Sequence, residues 1–270
     1  MVDPSALYFL ANLILFALLL LSWGHLLRPV WVAGGLLRGT TLLFLCCQGV
    51  ALLWSAAQLG PWCFADPYLS VMLLVEVAIV VCPVLQKLGP DGGAGPFVVT
   101  LAFLMHSFGV MFLSAPAAEA LQISPFARSP WYLLHVITAL SAFGAYTCAA
   151  GAALAYFGSR VSVRGRFAGE RVSGQRSLTY CRRALVIGFP WLSSSMVASA
   201  VWTQLAWGSY WTWRPAESWL LILWLALTMA LHARSMPAWQ GKQVASLSLL
   251  GFSLALLSLP LLGQGLLTTS

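Results

Sequence analysis

The chain has 270 residues, 60% of them hydrophobic and 8% charged, with a mean hydropathy of +0.86. Soluble domains carry about 25% charged residues, so this composition excludes an ordinary water-soluble domain and predicts an integral membrane protein. The formal net charge of +7 does not signal a nucleic-acid partner, because seven arginines fall within the single stretch 160–183 instead of covering a folded basic face.

The bilayer core admits only helices or a closed barrel. The apolar runs here are continuous and do not alternate, so the predicted fold is all-α, a polytopic bundle of about eight transmembrane helices forming one domain over residues 1–270. In chain order the predicted spans are roughly 6–27, 40–59, 68–88, 95–114, 131–158, 184–206, 219–234 and 244–263. Each is near the ~20 residues that cross a bilayer, the seventh being short. The N-terminus opens with Asp3 and runs apolar into Arg28. It is therefore read as an uncleaved first helix, not a signal peptide.

Between the spans, "GPDGGAGP" at 89–96 reads as a hinge, and 159–183 as a basic cytoplasmic loop. Residues 176–190 begin basic and turn apolar, the pattern of an interfacial helix that then enters the membrane. The six cysteines show no metal-like spacing, and most lie in apolar runs. Placing both termini on the outer side leaves twelve basic residues inside and only Arg128 and Arg214 outside, as the positive-inside rule requires. In a bacterium this means the inner membrane, with both termini in the periplasm.

Ionisable residues within spans are costly and point to function or to buried pairing. Glu76 lies mid-span 3, as a packing residue or a proton or ligand contact. His25 and His232 lie near inner span ends, His106 mid-span 4, and His135 near the outer end of span 5. For His106, His135 and His232 metal ligation is weighed against hydrogen-bonded packing. His135 stands out because it is level with the outer stretch "WGSYWTWRPAESW", residues 207–219. Interfacial aromatic belts spread tryptophans over many span ends, whereas here Trp202, Trp207, Trp211, Trp213 and Trp219 gather at one junction. A flat aromatic surface beside an imidazole suits haem, whose iron takes histidine as an axial ligand.

This stretch and the span after it, ending "ALHAR", resemble the tryptophan-rich WWD-type signature of the cytochrome c assembly family, the CcsA-, CcmC- and HemX-like membrane proteins. "RALVIGFPWLSSSMVASAVW", "SPWYLLHVITALSAFGAY" and "GKQVASLSLLGF" resemble flanking family segments in the same order. Residues 131–252 carry the likeness; the first four spans share it loosely.

The resemblance implies a CcsA-like fold and a protein that presents haem b at the outer face for attachment to apocytochrome c. At most, it would be part of a haem-attachment (lyase or synthase) system. It implies an outer platform of Trp207, Gly208, Trp211, Trp213, Glu217 and Trp219, with His135 as an axial ligand and His232 as the family's intramembrane haem ligand. The expected partners are other membrane subunits of a cytochrome c assembly or respiratory complex.

Two positions depart from the family pattern. Arg214 stands where the family has an aspartate that caps the next helix, a loss of about 0.5–2 kcal/mol, with about 0.3–1 kcal/mol more for a cation at a helix N-terminus. Glu217 can offset this, or Arg214 can meet an anion such as a haem propionate. Leu267 stands where the family has its second outer histidine. These departures support an alternative, in which a ligand-degenerate member serves as a structural or regulatory subunit of a larger membrane complex.

Overall fold

A computed structural model describes residues 4–29, 32–113, 128–161, 172–233, 236, 239 and 241–264. Eight α-helices follow in order: α1 Pro4–Leu27, α2 Gly34–Leu59, α3 Pro67–Lys87, α4 Gly95–Phe112, α5 Pro130–Val161, α6 Gly174–Trp207, α7 Pro215–His232 and α8 Lys242–Gln264. All eight are long and apolar enough to cross a membrane. A short 3-10 turn, Pro61–Ala65, joins α2 to α3. The chain is thus the all-α polytopic membrane protein that its hydropathy predicts.

Two helices begin well before their predicted starts. α2 begins at Gly34, so Arg38 lies inside it, and α6 begins at Gly174, ten residues before its predicted start and within the basic segment. Hydropathy misses these turns because they carry charge. On α6 the cause is one-sided burial: Leu178, Tyr180 and Cys181 are buried while Gln175 and Arg176 are exposed; the first turns of α2, residues 34–43, bury no side chain. The two segments read from sequence as interfacial and membrane-entering form one helix of 34 residues. The remainder of the basic loop, residues 162–171, lies outside the described residues, as does Leu267.

α5 is the centre of the bundle, packed against α3, α4, α6 and α8. Its sequence explains this: "AYTCAAGAALAY" offers a surface of small side chains on which neighbouring backbones can lie close. At Gly151 a Cβ would lie 2.5 Å from Val98 Cγ2 and 2.7 Å from the Val98 backbone nitrogen on α4. Around this axis α1 packs on α2 and α4, while α7 packs on α6 and α8.

Local signals set the helix starts. Asp66 caps α3, its Oδ1 accepting from the Tyr68 and Leu69 amides at 2.9 and 3.3 Å, with Pro67 opening the helix. Burial pushes its carboxyl pKa up, while those two amide bonds pull the other way. Asp66→Ala is expected to destabilise the protein by about 0.5–2 kcal/mol, measured by thermal unfolding in detergent; Asp66→Asn should recover most of this. The hinge at 89–96 is an ordered turn. Asp91 accepts from the Gly93 and Gly95 amides at 3.0 and 3.1 Å, and the Gly92 carbonyl accepts from Ser173 N and Ser177 Oγ of the α6 start.

Candidate functional site

α6 ends at Trp207 and α7 begins at Pro215, so the tryptophan stretch is a seven-residue loop, 208–214, between two helix ends. Gly208 closes α6 with φ 74°, a left-handed conformation that glycine adopts freely. Trp213 also takes positive φ, 56°. This is uncommon for a bulky residue and carries a strain cost. It leaves the Trp213 indole 72% exposed.

Glu217 is what holds this turn. It is buried, and its Oε2 accepts from the Thr212 amide at 2.7 Å. Its Oε1 accepts from Thr212 Oγ1 at 2.8 Å and from Thr203 Oγ1 on α6 at 3.3 Å. One carboxyl group therefore ties the loop, α7 and α6 together. It does not replace the cap that α7 lacks at Arg214: its partners, Thr212 and Thr203, lie outside α7, and the Arg214 side chain caps none of the first-turn amides. The Arg214 guanidinium lies over the Trp207 ring, 4.0 Å from its centroid, a cation–π contact.

From Trp207 a ladder of rings leads inward. Trp207 meets Trp202 edge-on at 4.8 Å, Trp202 meets Tyr132 of α5 at 4.6 Å, and Tyr132 lies 6.2 Å from the His135 ring. Trp211 and Trp213 form a separate edge-on pair at 5.7 Å, and the Trp211 Nε1–H is buried without an acceptor. Trp219 is half-buried on the first turns of α7 and joins neither group of rings among the described residues.

His135 is 7% exposed, one turn deeper along α5 than Tyr132. Its Nδ1 lies 3.1 Å from the Ser195 carbonyl oxygen and 2.9 Å from Ser195 Oγ, and Ser195 Oγ donates to the His135 carbonyl. A carbonyl only accepts, so Nδ1 carries the hydrogen and the neutral ring keeps its lone pair on Nε2. No described residue takes that nitrogen. A backbone acceptor fixing one nitrogen so that the other faces a metal is the usual outer-shell arrangement of a metal-binding histidine.

The other histidines are placed differently. His106 is fully buried with both ring nitrogens engaged: Nδ1 by Asn12 Oδ1 and Nε2 by Gln48 Oε1, each at 3.1 Å. Gln48 gives its Nε2–H to the Met72 carbonyl, so its oxygen is the end facing His106. His232 is exposed as the last residue of α7, the end remote from the tryptophan loop, with Nδ1 donating to the Thr228 carbonyl at 2.8 Å. His25 Nδ1 lies 2.8 Å from the Val32 carbonyl. Glu76 is half-buried, with Oε2 lacking a partner.

The structure therefore brings His135, Trp207 and Arg214 into one connected set, with Trp211, Trp213 and Glu217 in the adjoining loop. It does not bring His106 or His232 there. Sequence reasoning missed Tyr132, Ser195, Thr203 and Thr212. Only the spacing of Tyr132 and His135, three residues apart on one helix, gave a signal.

These features define a polytopic helical membrane protein with an aromatic platform and a buried, oriented imidazole at one end. The sequence profile of the family described as "Cytochrome C assembly protein" matches residues 7–267. The chain belongs to that family. It is 26% identical to the cytochrome c biogenesis protein CcsA of Mesostigma viride over 76% of this chain and 72% of that one. It is 24% identical to CcsA of Marchantia polymorpha over 94% and 93%. A shorter match, 46% identical over 87 residues, is to CcsA of Synechococcus elongatus, covering 31% of this chain and 27% of the other. Among solved structures the fold resembles a chain named cytochrome c heme lyase CcmF, with a TM-score of 0.69 at 18% identity. That likeness covers 98% of this chain and 49% of the CcmF chain, so this protein spans about half of its length.

Proposed function

We propose that this protein binds haem b at the tryptophan-loop end of the bundle and presents it, outside the membrane, for cytochrome c assembly. The observation that carries the reading is His135: buried, fixed in one tautomer by Ser195, with Nε2 unpartnered at the foot of the ring ladder. The residues fit the group. Haem is a flat apolar ring with two carboxylates, and its iron supplies the coordination chemistry when bound. His135 would hold the iron, and Trp202, Trp207 and Tyr132 would offer apolar faces. Arg214 and the orphan Trp211 Nε1–H would meet the carboxylates. Glu217 would keep the loop in shape, so that the exchange of aspartate for Arg214 leaves the platform standing.

Under this reading the tryptophan loop and both termini lie on the outer side, the partners are other assembly components, and apocytochrome c is the acceptor. The test is an absorption spectrum of protein purified from cells supplied with haem precursor. A Soret band is expected, and Arg214→Ala should weaken haem retention by roughly ten-fold, the scale of one charge-assisted hydrogen bond of about 1.5 kcal/mol. A colourless protein would overturn the proposal.

A further inference from the structure

At the opposite end of the bundle, α1 to α4 and the start of α6 line an open cavity of about 1050 Å3. Its depth is apolar, walled by Leu18, Leu45, Ile79 and Val99. Its mouth is cationic: Arg38 from α2, Lys87 from α3 and Arg176 from α6 all line it. Among the described residues none of the three is ion-paired. One carboxylate shares the lining, so three cations face one anion and the mouth keeps a net positive charge. Asp91 accepts from the Gly93 and Gly95 amides and from Gln86 Nε2 at 3.0 Å. The same turn, through the Gly92 carbonyl, docks Ser173 and Ser177 and so brings Arg176 to the cavity.

The cavity also opens sideways. Leu42 is part of its lining yet is 62% exposed, on the face of α2 that would meet lipid. A cationic mouth with a lateral apolar exit suits an anion that carries hydrocarbon tails. Free phosphate would leave the apolar depth bare, and a zwitterionic lipid would leave the excess positive charge unmatched. Basic pockets between transmembrane helices hold lipid phosphates in this way.

We propose that this cavity seats the phosphate headgroup of an anionic glycerophospholipid, with its acyl chains leaving past Leu42. The lipid would fill the space between α2 and α3 and hold the α6 start against α3. This proposal does not rest on the haem reading.

The test is native mass spectrometry of the full-length protein with dioleoyl-phosphatidylglycerol or dioleoyl-phosphatidylcholine added at equal concentration. The wild type is expected to retain phosphatidylglycerol preferentially, and Arg38→Gln with Lys87→Gln to reduce that retention by about thirty-fold, about five-fold per cation. Arg160→Gln with Lys242→Gln removes the same charge from residues outside the cavity lining, and should leave retention unchanged. Equal retention of the two lipids, or equal loss in the two double variants, would overturn the proposal. So would displacement of the lipid by millimolar inorganic phosphate alone. Displacement by added haem with a Soret band that His25→Ala removes would reassign the cavity to haem and also overturn it.

Discussion

Replacing Glu217 with alanine is expected to destabilise the protein by about 3 kcal/mol or more, on the scale of 1–3 kcal/mol for each buried polar group left unsatisfied. Two donors lose their acceptor at once, the Thr212 amide and Thr212 Oγ1, while Thr203 Oγ1 loses a 3.3 Å contact but keeps its 2.8 Å bond to the Ser199 carbonyl. The Thr212 hydroxyl can turn to another acceptor, but the backbone N–H cannot. The strained Trp213 backbone then loses the anchor at the residue before it, so the aromatic near-UV signal should fall together with the melting temperature in detergent. Glu217→Gln is the informative control. Its amide oxygen can serve the Thr212 amide while its NH2 group donates to the threonine hydroxyls, so the loss should be near 1 kcal/mol. Equal melting temperatures for wild type and Glu217→Ala would show that the carboxyl group does not hold the loop.

The second large effect is at Gly151. A side chain there meets the Val98 backbone as well as its side chain, with Cβ 2.7 Å from N and 2.9 Å from Cα. Backbone cannot rotate away, so α4 itself must shift. Gly151→Ala is expected to cost about 1–3 kcal/mol, the usual range for overpacking, and Gly151→Leu to yield aggregated protein on size-exclusion in detergent. Val98→Ala relieves only the Cγ2 contact, so the double variant with Gly151→Ala should stay below wild type. Full rescue by Val98→Ala would mean that the side chain alone sets the spacing of α4 and α5.

The spans were legible because lipid selects long apolar runs, and the helix bounds differ from the hydropathy reading only where charge enters. Arg176, Arg182 and Arg183 in α6 are helical because the opposite faces of their turns are buried, which a hydropathy window averages away. The platform was legible in the clustering of tryptophans and in His135 at their depth. Its supports were not. Ser195 is sixty residues from His135, and their contact depends on the register of α5 against α6, which no local pattern encodes. Arg214 shows the same limit. The sequence exposes a missing cap and offers Glu217 to offset it, while in the structure that carboxyl reaches back to Thr212 and holds the loop, leaving α7 without a side-chain cap at Arg214. The histidines in span 4 and at the end of span 7 looked comparable to His135 in composition. Depth already set His135 apart from them, and the structure adds that His106 is engaged at both nitrogens and that His232 lies at the far end of α7.

In the proposed function His135 Nε2 is the haem ligand, and replacement of its side chain by a free imidazole decides whether it is. His135→Gly, purified with haem supplied, is expected to lose the axial signature of the wild-type spectrum and to recover it on titration with imidazole, which the vacated space beside Ser195 can admit. A His135→Gly protein with the wild-type spectrum, unchanged by imidazole, would contradict the account and move the iron to another residue.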